Sequence, residues 1–439
     1  MDLICYPKKL SGEIKAISSK SHAHRILICA ALASSPTEVF LSPELSEDIR
    51  ATMGCLKALG AKFETGEGVI RVTPLDQKNL PQNPLLDCQQ SGATLRFVLP
   101  LVAALGCGGR FAGSGKLPQR PLGPLLDALE DGGVKADHTK LPLTIKGKLS
   151  KNIYTLPGNI SSQFITGFLF ALALLDGGKI LLSTPLESAK YVDMTRDVLR
   201  EFGIQTEVSD NIFTLPPSQT VTSPHQIQVE GDWSNMAFFL TAGALGGPLS
   251  CQGLSDKSTQ GDRYIFELLK DFGARVCQDQ DVFTVQKSEE QDAFQEDSQT
   301  LEKAPRPRRE IDVREIPDLV PILSVIASVS PGTTRISGAS RLRIKESDRL
   351  KTVSHMIESL GGKITEGEDY LVIEGVLALS GGTVDCANDH RIAMAGAMAS
   401  CASQGPVILK GADAVNKSYP GFFKDFKKTG GLFHVINNR

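Results

Sequence analysis

No stretch of this 439-residue chain is apolar for long enough to cross a bilayer; the longest candidate, Phe164 to Leu175, falls well short of the roughly 20 residues a spanning helix needs. The opening segment MDLICYPKKL lacks the charged-then-apolar layout of a secretory signal, so neither export nor a transit peptide is expected. The nine cysteines are odd in number and contain no C-x-x-C pair, which argues against a disulfide framework and against a structural zinc site. A reducing cytosol suits them. Basic excess is missing too: 47 Lys and Arg stand against 50 Asp and Glu, a net charge of −3, so nucleic acid is not an expected partner. Any anion site must therefore be a local concentration of cations. With 41% hydrophobic and 22% charged residues, disordered and collagen-like classes are also excluded.

What the chain does have is an internal repeat, an amphipathic helix ending at glycine and followed by a strand. Six copies are legible: LKALGAKF at Gly60, LEDGGVKA at Gly132, LREFGIQTEV at Gly203, LKDFGARV at Gly273, IESLGGKI at Gly361 and FKKTGGLF at Gly430. Each glycine is expected in the left-handed conformation that closes a helix. The intervals are 72, 71, 70, 88 and 69 residues, so one of them carries about 18 extra. That interval contains residues 286 to 310, a charged, Pro-containing tract without apolar periodicity, expected as a solvent-exposed insertion. A period near 70 accommodates two helices and three or four short strands, which predicts six compact α/β units. The segments VIRVTP and YLVIEG read as strands, Ala51 to Leu59 as helix. Three units fill the chain to about residue 230, so two similar three-unit domains are the economical division. Periodicity does not say which domain the first strand segment, LICYPKKLSGEIKAI, joins.

Polar segments interrupt apolar surroundings near the starts of helices. Ser18-Ser-Lys-Ser-His-Ala-His-Arg25 collects hydroxyls and two cations before ILICAALA, a setting that favours phosphate or carboxylate. His22 and His24 lack the i, i+4 spacing of a metal pair. Gln90-Ser-Gly-Ala-Thr-Leu-Arg96 offers a glycine for close backbone approach and an arginine fork. Gln119-Arg120-Pro121 follows a loop holding Gly113 and Gly115, and Ser161-Ser-Gln163 precedes an apolar helix. The second half supplies Ile316-Pro-Asp318, Arg341-Leu-Arg-Ile-Lys-Glu-Ser-Asp-Arg349, Asn388-Asp-His-Arg391 and Asn416-Lys-Ser-Tyr419. Each alone is explained by a cap, a turn or a solvated charged face, with Asp389 as one such cap. Their recurrence in both halves points instead to helix N-termini that converge on anions.

Taken in order, these segments resemble the EPSP synthases, the 3-phosphoshikimate 1-carboxyvinyltransferases, across nearly the whole chain. SKSHAHR is similar to the family's SK-[ST]-x-x-x-R, QSGATLR to its phosphoenolpyruvate loop and QRP to its anion-binding arginine; SSQ, IPD, KESDR, NDHR and the lysine before Ser-Tyr-Pro follow collinearly. The resemblance implies an α/β (α+β) fold of two similar domains, each of three βαβαββ units, with the active site in the interdomain cleft. The expected domains are residues 19–230, and residues 1–18 plus 231–439, with the insertion in the second.

The implied enzyme moves the enolpyruvyl group of phosphoenolpyruvate onto the 5-hydroxyl of shikimate 3-phosphate, with no cofactor and no metal, as a cytoplasmic monomer of aromatic amino-acid biosynthesis and a glyphosate target. Both substrates are polyanions, which suits Lys20, Arg25, Arg96 and Arg120 in the first half and Lys345, Arg349, Arg391 and Lys417 in the second. By resemblance, shikimate 3-phosphate meets Lys20, Ser21, Arg25, Ser161, Ser162 and Gln163, together with Ser188, Asp318 and Lys345. Phosphoenolpyruvate meets Lys20, Gly92, Arg120 and Gln163, together with Arg349, Arg391 and Lys417. Asp318 and Glu346 are the proton-transfer candidates, with Lys20 as a third catalytic group.

Departures from the family pattern fall at Gln90, Ala93, Phe97 and Arg341, where Asn, Thr, Pro and Asn are common, and leave the contacts at those positions open. The sister family acting on UDP-N-acetylglucosamine typically has a cysteine five residues before the arginine of its RP loop; that position here is Gly115, and the nearest cysteine is Cys107. A non-catalytic anion sensor on the same scaffold is disfavoured because both proton-transfer carboxylates are present.

Overall fold

Glycine punctuation and short alternating runs fold, in a computed structural model describing residues 1–288 and 308–437, into six four-stranded sheets, each backed by helices. The second repeat shows the plan. Strand Leu85–Asp87 leads through helix Gly92–Leu105 to a parallel strand, Gly109–Ala112; helix Gly123–Asp131 then leads to the hairpin Lys135–Ala136 and Leu143–Lys146. Leu143–Lys146 pairs antiparallel with Gly109–Ala112, so the last strand lies inside the sheet and the third at its edge. The helical crossover is what a parallel pair requires, whereas the antiparallel pair needs only a turn. The same order recurs in the sheets that begin at Ile153 and at Arg308.

The other three sheets borrow a strand from a distant part of the chain. Gln226–Gln228 lies parallel to Thr37–Phe40, so the end of one three-sheet unit completes its beginning. Gly12–Lys15 lies parallel to Leu249–Gln252, and Asp2–Tyr6 is sandwiched antiparallel between Val407–Lys410 and Leu432–Asn437. The chain thus divides into two compact units, Met1–Ile17 with Gly231–Arg439, and a nested unit, Ser18–Glu230. Ser18 exchanges backbone-to-hydroxyl hydrogen bonds with Ser42, which ties it into the nested unit.

Each unit has its own apolar core. The central helices are apolar on every side, and Trp233–Leu245 is buried along its entire length, as expected of a helix surrounded by other elements. In the nested unit, helices Gly92–Leu105 and Ser162–Leu174 touch closely at Gly167, where a Cβ would lie 2.3 Å from the Arg96 carbonyl oxygen. Glycine there sets how the two helix starts face each other. No helix among the described residues is long and apolar enough to cross a membrane.

Two expectations need correction. Five of the six repeat glycines take positive φ, between 82 and 108°, but Gly132 is right-handed and the reversal passes to Gly133, at 96°. With two consecutive glycines, the second was free to take the reversal. The expected insertion at 286–310 is also too wide: Gln286 closes strand Val282–Gln286, and Arg308–Asp312 is a strand paired parallel with Thr333–Ser337. Arg309 donates to the carbonyls of Asp271 and Pro331 and lies 4.9 Å above the Phe272 ring, so its charged appearance conceals an anchoring contact. Residues 289–307 of the tract lie outside the described residues.

Candidate active site

In the nested unit four helix N-termini carry the expected polar segments. Ser19 caps Lys20–Leu32, Ser91 caps Gly92–Leu105, Ser161 caps Ser162–Leu174, and Ser188, at φ 55°, precedes Ala189–Glu201. Side chains tie these starts together. Arg25 donates from Nε to Thr195 Oγ1 at 2.8 Å, from Nη1 to the Ser21 carbonyl at 2.6 Å and from Nη2 to the Tyr191 carbonyl at 2.8 Å. Arg96 Nη1 donates to Gln163 Oε1 at 2.9 Å. Lys20 Nζ meets Asp48 Oδ2 at 2.8 Å on the neighbouring helix Glu47–Ala58.

Gly92 sits where two guanidiniums meet the start of a helix. A Cβ there would fall 2.5 Å from Arg120 Nη1 and 2.8 Å from Arg96 Nη1. Missing that Cβ, the backbone N–H groups and both arginines can face one anion. The obstructing atoms are flexible side-chain ends rather than backbone, so a methyl group would displace the cations without breaking the helix.

The departures from the family pattern acquire places. Phe97 is buried with its ring 5.1 Å beneath the Arg25 guanidinium, and packs edge-on against Phe170 and His24. Burial, reinforced by Lys20 and Arg25, holds His24 well below the usual histidine range, so it is neutral. Its Nδ1 bonds Thr52 Oγ1 at 2.7 Å, and Thr52 bonds Thr94, whose hydroxyl reaches Ser91. Gln90 lies against the loop at Gly115, where a Cβ would meet its Oε1 at 2.6 Å. Ala93 packs on the core of the nested unit, and in the second unit Arg341 donates to the Arg314 carbonyl.

The second unit gathers carboxylates as well as cations. Asp318, on the short turn Pro317–Leu319, accepts from Arg349 Nη1 at 2.7 Å and from Arg391 Nη2 at 3.0 Å, with Lys345 Nζ at 3.5 Å. Burial pushes its pKa up, but Arg391, Lys345 and Arg349 outweigh burial and hold it well below the carboxylate range. The same Arg349 donates from Nη2 to Glu346 at 2.7 Å and from Nε to Asp389 at 2.8 Å, while remaining 1% exposed. It is no solvated face. Lys417 donates to the carbonyl of Asn388, immediately before Asp389.

The structure therefore joins Asp318, Lys345, Glu346, Arg349 and Arg391 in one network, and in the nested unit it brings Gly92, Arg96, Arg120 and Gln163 together while Arg25 is tied to Ser21, Tyr191 and Thr195. Three carboxylates escaped the sequence reading as site groups. Asp389 caps helix His390–Ala399 yet also accepts from Arg349 and Ser347; Asp48 partners Lys20; Asp262 bonds Ser234 beside Arg391. Asp389 stood inside the quoted NDHR, and its apolar flank was the available signal. Asp48 and Asp262 had no such mark.

Comparison with known proteins bears on the family of the chain. The family model for EPSP synthase (3-phosphoshikimate 1-carboxyvinyltransferase) matches residues 4–426. A 3-phosphoshikimate 1-carboxyvinyltransferase of Clostridium kluyveri is 43% identical over 430 residues, covering 97% of this chain and 96% of that protein. One of Clostridium novyi is 41% identical, covering 97% of each. Among solved structures, EPSP synthase from Acinetobacter baumannii superposes with a TM-score of 0.78 at 24% identity, covering 99% of this chain and 100% of that one. The enolpyruvyl transferase NikO from Streptomyces tendae follows at 0.72 and 18%, covering 99% of this chain and 98% of that one, and these two likenesses speak to fold alone. Six repeated α/β units and matches over nearly the full length lead to one assignment: this chain belongs to the EPSP synthase family.

Proposed function

We propose that this chain transfers the enolpyruvyl group of phosphoenolpyruvate to the 5-hydroxyl of shikimate 3-phosphate, releasing phosphate. The observation that carries the reading is one buried guanidinium, Arg349, holding two carboxylates, Asp318 and Glu346, each at 2.7 Å. Addition–elimination needs just such a pair, one group to accept a proton and one to deliver it. In the proposed sequence the 5-hydroxyl loses its proton as its oxygen bonds C2 of phosphoenolpyruvate, and C3 gains a proton to become a methyl group. The tetrahedral adduct then loses phosphate as a methyl proton departs, leaving the enol ether.

Charge makes the roles of the cations concrete. Lys20, Arg25, Ser21, Ser188 and the Ser161–Gln163 segment would receive shikimate 3-phosphate in the nested unit; Gly92 and Arg120 would receive phosphoenolpyruvate there. Arg349, Arg391 and Lys417 would hold phosphoenolpyruvate from the second unit, and Asp318 and Lys345 the shikimate 3-phosphate. Asp318 is a weak base while Arg391, Lys345 and Arg349 stabilise its charge. An arriving anion shares those cations, and Asp318 becomes more basic when the acceptor hydroxyl needs it.

Phosphate release from phosphoenolpyruvate, measured with shikimate 3-phosphate and separately with UDP-N-acetylglucosamine as acceptor, tests the reading. Release is expected with the first only. Release with the UDP-sugar and none with shikimate 3-phosphate would overturn it.

A further inference from the structure

Asp262 is a buried carboxylate, 1% exposed, that the mechanism above does not use. It lies on the turn Gly261–Tyr264, whose preceding residue, Gln260, accepts from the Trp233 backbone N–H at 3.0 Å and donates to the Gly231 carbonyl at 2.7 Å. That turn grips the start of helix Trp233–Leu245. Asp262 itself accepts the hydroxyl hydrogen of Ser234, and the carbonyl of the same serine accepts from Arg391 Nη1 at 3.4 Å. The opposite end of the Arg391 fork, Nη2, donates to Asp318 at 3.0 Å. A buried carboxylate, a serine, an arginine and the proton-transfer aspartate thus form one line across four chain segments.

We propose that Asp262 is a positioning residue for Arg391: it anchors Ser234 and balances the Arg391 charge from behind, so that the guanidinium is aimed at Asp318 and at an anion beside it. The inference rests on the function proposed above. The groups facing Asp262 are Asp232, which caps the Trp233–Leu245 helix, Ser234 on its first turn, Arg391 on helix His390–Ala399, and Asp318. Burial and the like charges of Asp318 and Asp232 push its carboxyl up to about 6, against the pull of Arg391 and Ser234. Asp262 is therefore ionised above that point and neutral below it, and only the ionised form balances Arg391. A structural tie between a turn and a helix would show no such dependence, because Gln260 already supplies one without a charge.

The test is Asp262→Asn, which keeps the shape and an oxygen for Ser234 but removes the charge, with Ser234→Ala as a second variant that keeps the charge and removes the link. Both are assayed for kcat and for the KM of phosphoenolpyruvate from pH 5 to 8, alongside melting temperature. Asp262→Asn is expected to raise KM about tenfold near neutral pH, with a smaller change in kcat, as for the loss of one charge-supported contact. It should also flatten the part of the kcat/KM profile that turns near pH 6 in the wild type. Ser234→Ala should raise KM less and keep that turn. A wild-type KM and an unchanged profile in Asp262→Asn would overturn the inference, as would a lower melting temperature with both kinetic features intact. Should Asp262→Asn fail to fold, a wild-type KM in Ser234→Ala would overturn it instead. Wild-type protein that releases no phosphate fails the functional reading; active wild type with a silent Asp262→Asn fails only this inference.

Discussion

Cations mark both clusters, but what surrounds them differs. In the nested unit Lys20 pairs with Asp48, but the guanidiniums meet neutral groups: Arg25 a hydroxyl and two carbonyls above an aromatic ring, and Arg96 an amide oxygen. In the second unit Arg349 touches three carboxylates and Arg391 shares Asp318. A guanidinium with neutral partners keeps its charge for an incoming anion, whereas one that holds carboxylates tunes their acidity. The first arrangement suits binding and the second suits proton transfer. Removing a group from each cluster should therefore affect different kinetic constants.

The largest effect is expected in the carboxylate cluster. Asp318→Asn and Glu346→Gln should each lower kcat by roughly 10²-fold or more, with the fold retained. Steady-state kinetics with both substrates would check this, and wild-type turnover in either variant would remove that residue from the chemistry. Next in size, Arg120→Met should raise the KM of phosphoenolpyruvate by about 10- to 100-fold while changing kcat less, the mark of lost ground-state binding. A kcat effect equal to that of Asp318→Asn would erase the distinction between the clusters.

Gly92→Ala sharpens the comparison at smaller scale. Because the new methyl displaces the movable ends of Arg120 and Arg96 rather than backbone, the melting temperature should hold while the KM of phosphoenolpyruvate rises several-fold, less than the roughly 10- to 200-fold a methyl-sized intrusion costs a rigid site. The inhibition constant of glyphosate should rise more than that KM. Equal changes in both, or none, would place the glycine away from the phosphoenolpyruvate position.

The smallest effect concerns acid stability. Burial lowers His22 to about 4 and holds His24 well below its usual range, so the unfolded nested unit takes up protons below about pH 6.5 that the folded unit refuses. Stability is lost as pH falls from there towards 4. Asp262, pushed up to about 6, works oppositely in the second unit: between its ordinary 3.8 and 6 the folded state binds the extra proton, so falling pH favours that unit. Proteolysis or hydrogen exchange at pH 7 and pH 5 should show the nested unit loosening first. Loosening of the other unit first would reverse the assignment.

Much of this was legible in the chain because it is local. A helix that ends at glycine every 70 residues or so needs only neighbouring residues to be read, and Ser91 before Gly92 or Ser161 before Gln163 announces a helix start within a few positions. Lys345, Glu346 and Arg349 lie within one turn or so, and their resemblance to a family motif located them. Even local reading had its limit at Gly132 and Gly133, where two adjacent residues could each satisfy the reversal and packing chose the second.

Tertiary structure decided the rest, because it depends on pairs far apart in sequence. Arg349 reaches Asp389 across 40 positions, Arg391 reaches Asp318 across 73, and its contact with Ser234 spans 157. No periodicity relates such residues, so Asp389 read as a simple cap and Asp262 did not register at all. The borrowed strands are the same case: Asp2–Tyr6 finds its place between Val407–Lys410 and Leu432–Asn437 only after the whole chain has returned. The sequence by itself determined the repeated units and the supply of cations and carboxylates. Folding alone determined which carboxylate each cation holds, because burial makes an unpaired charge costly and leaves each group only the partners that the packed core brings within reach.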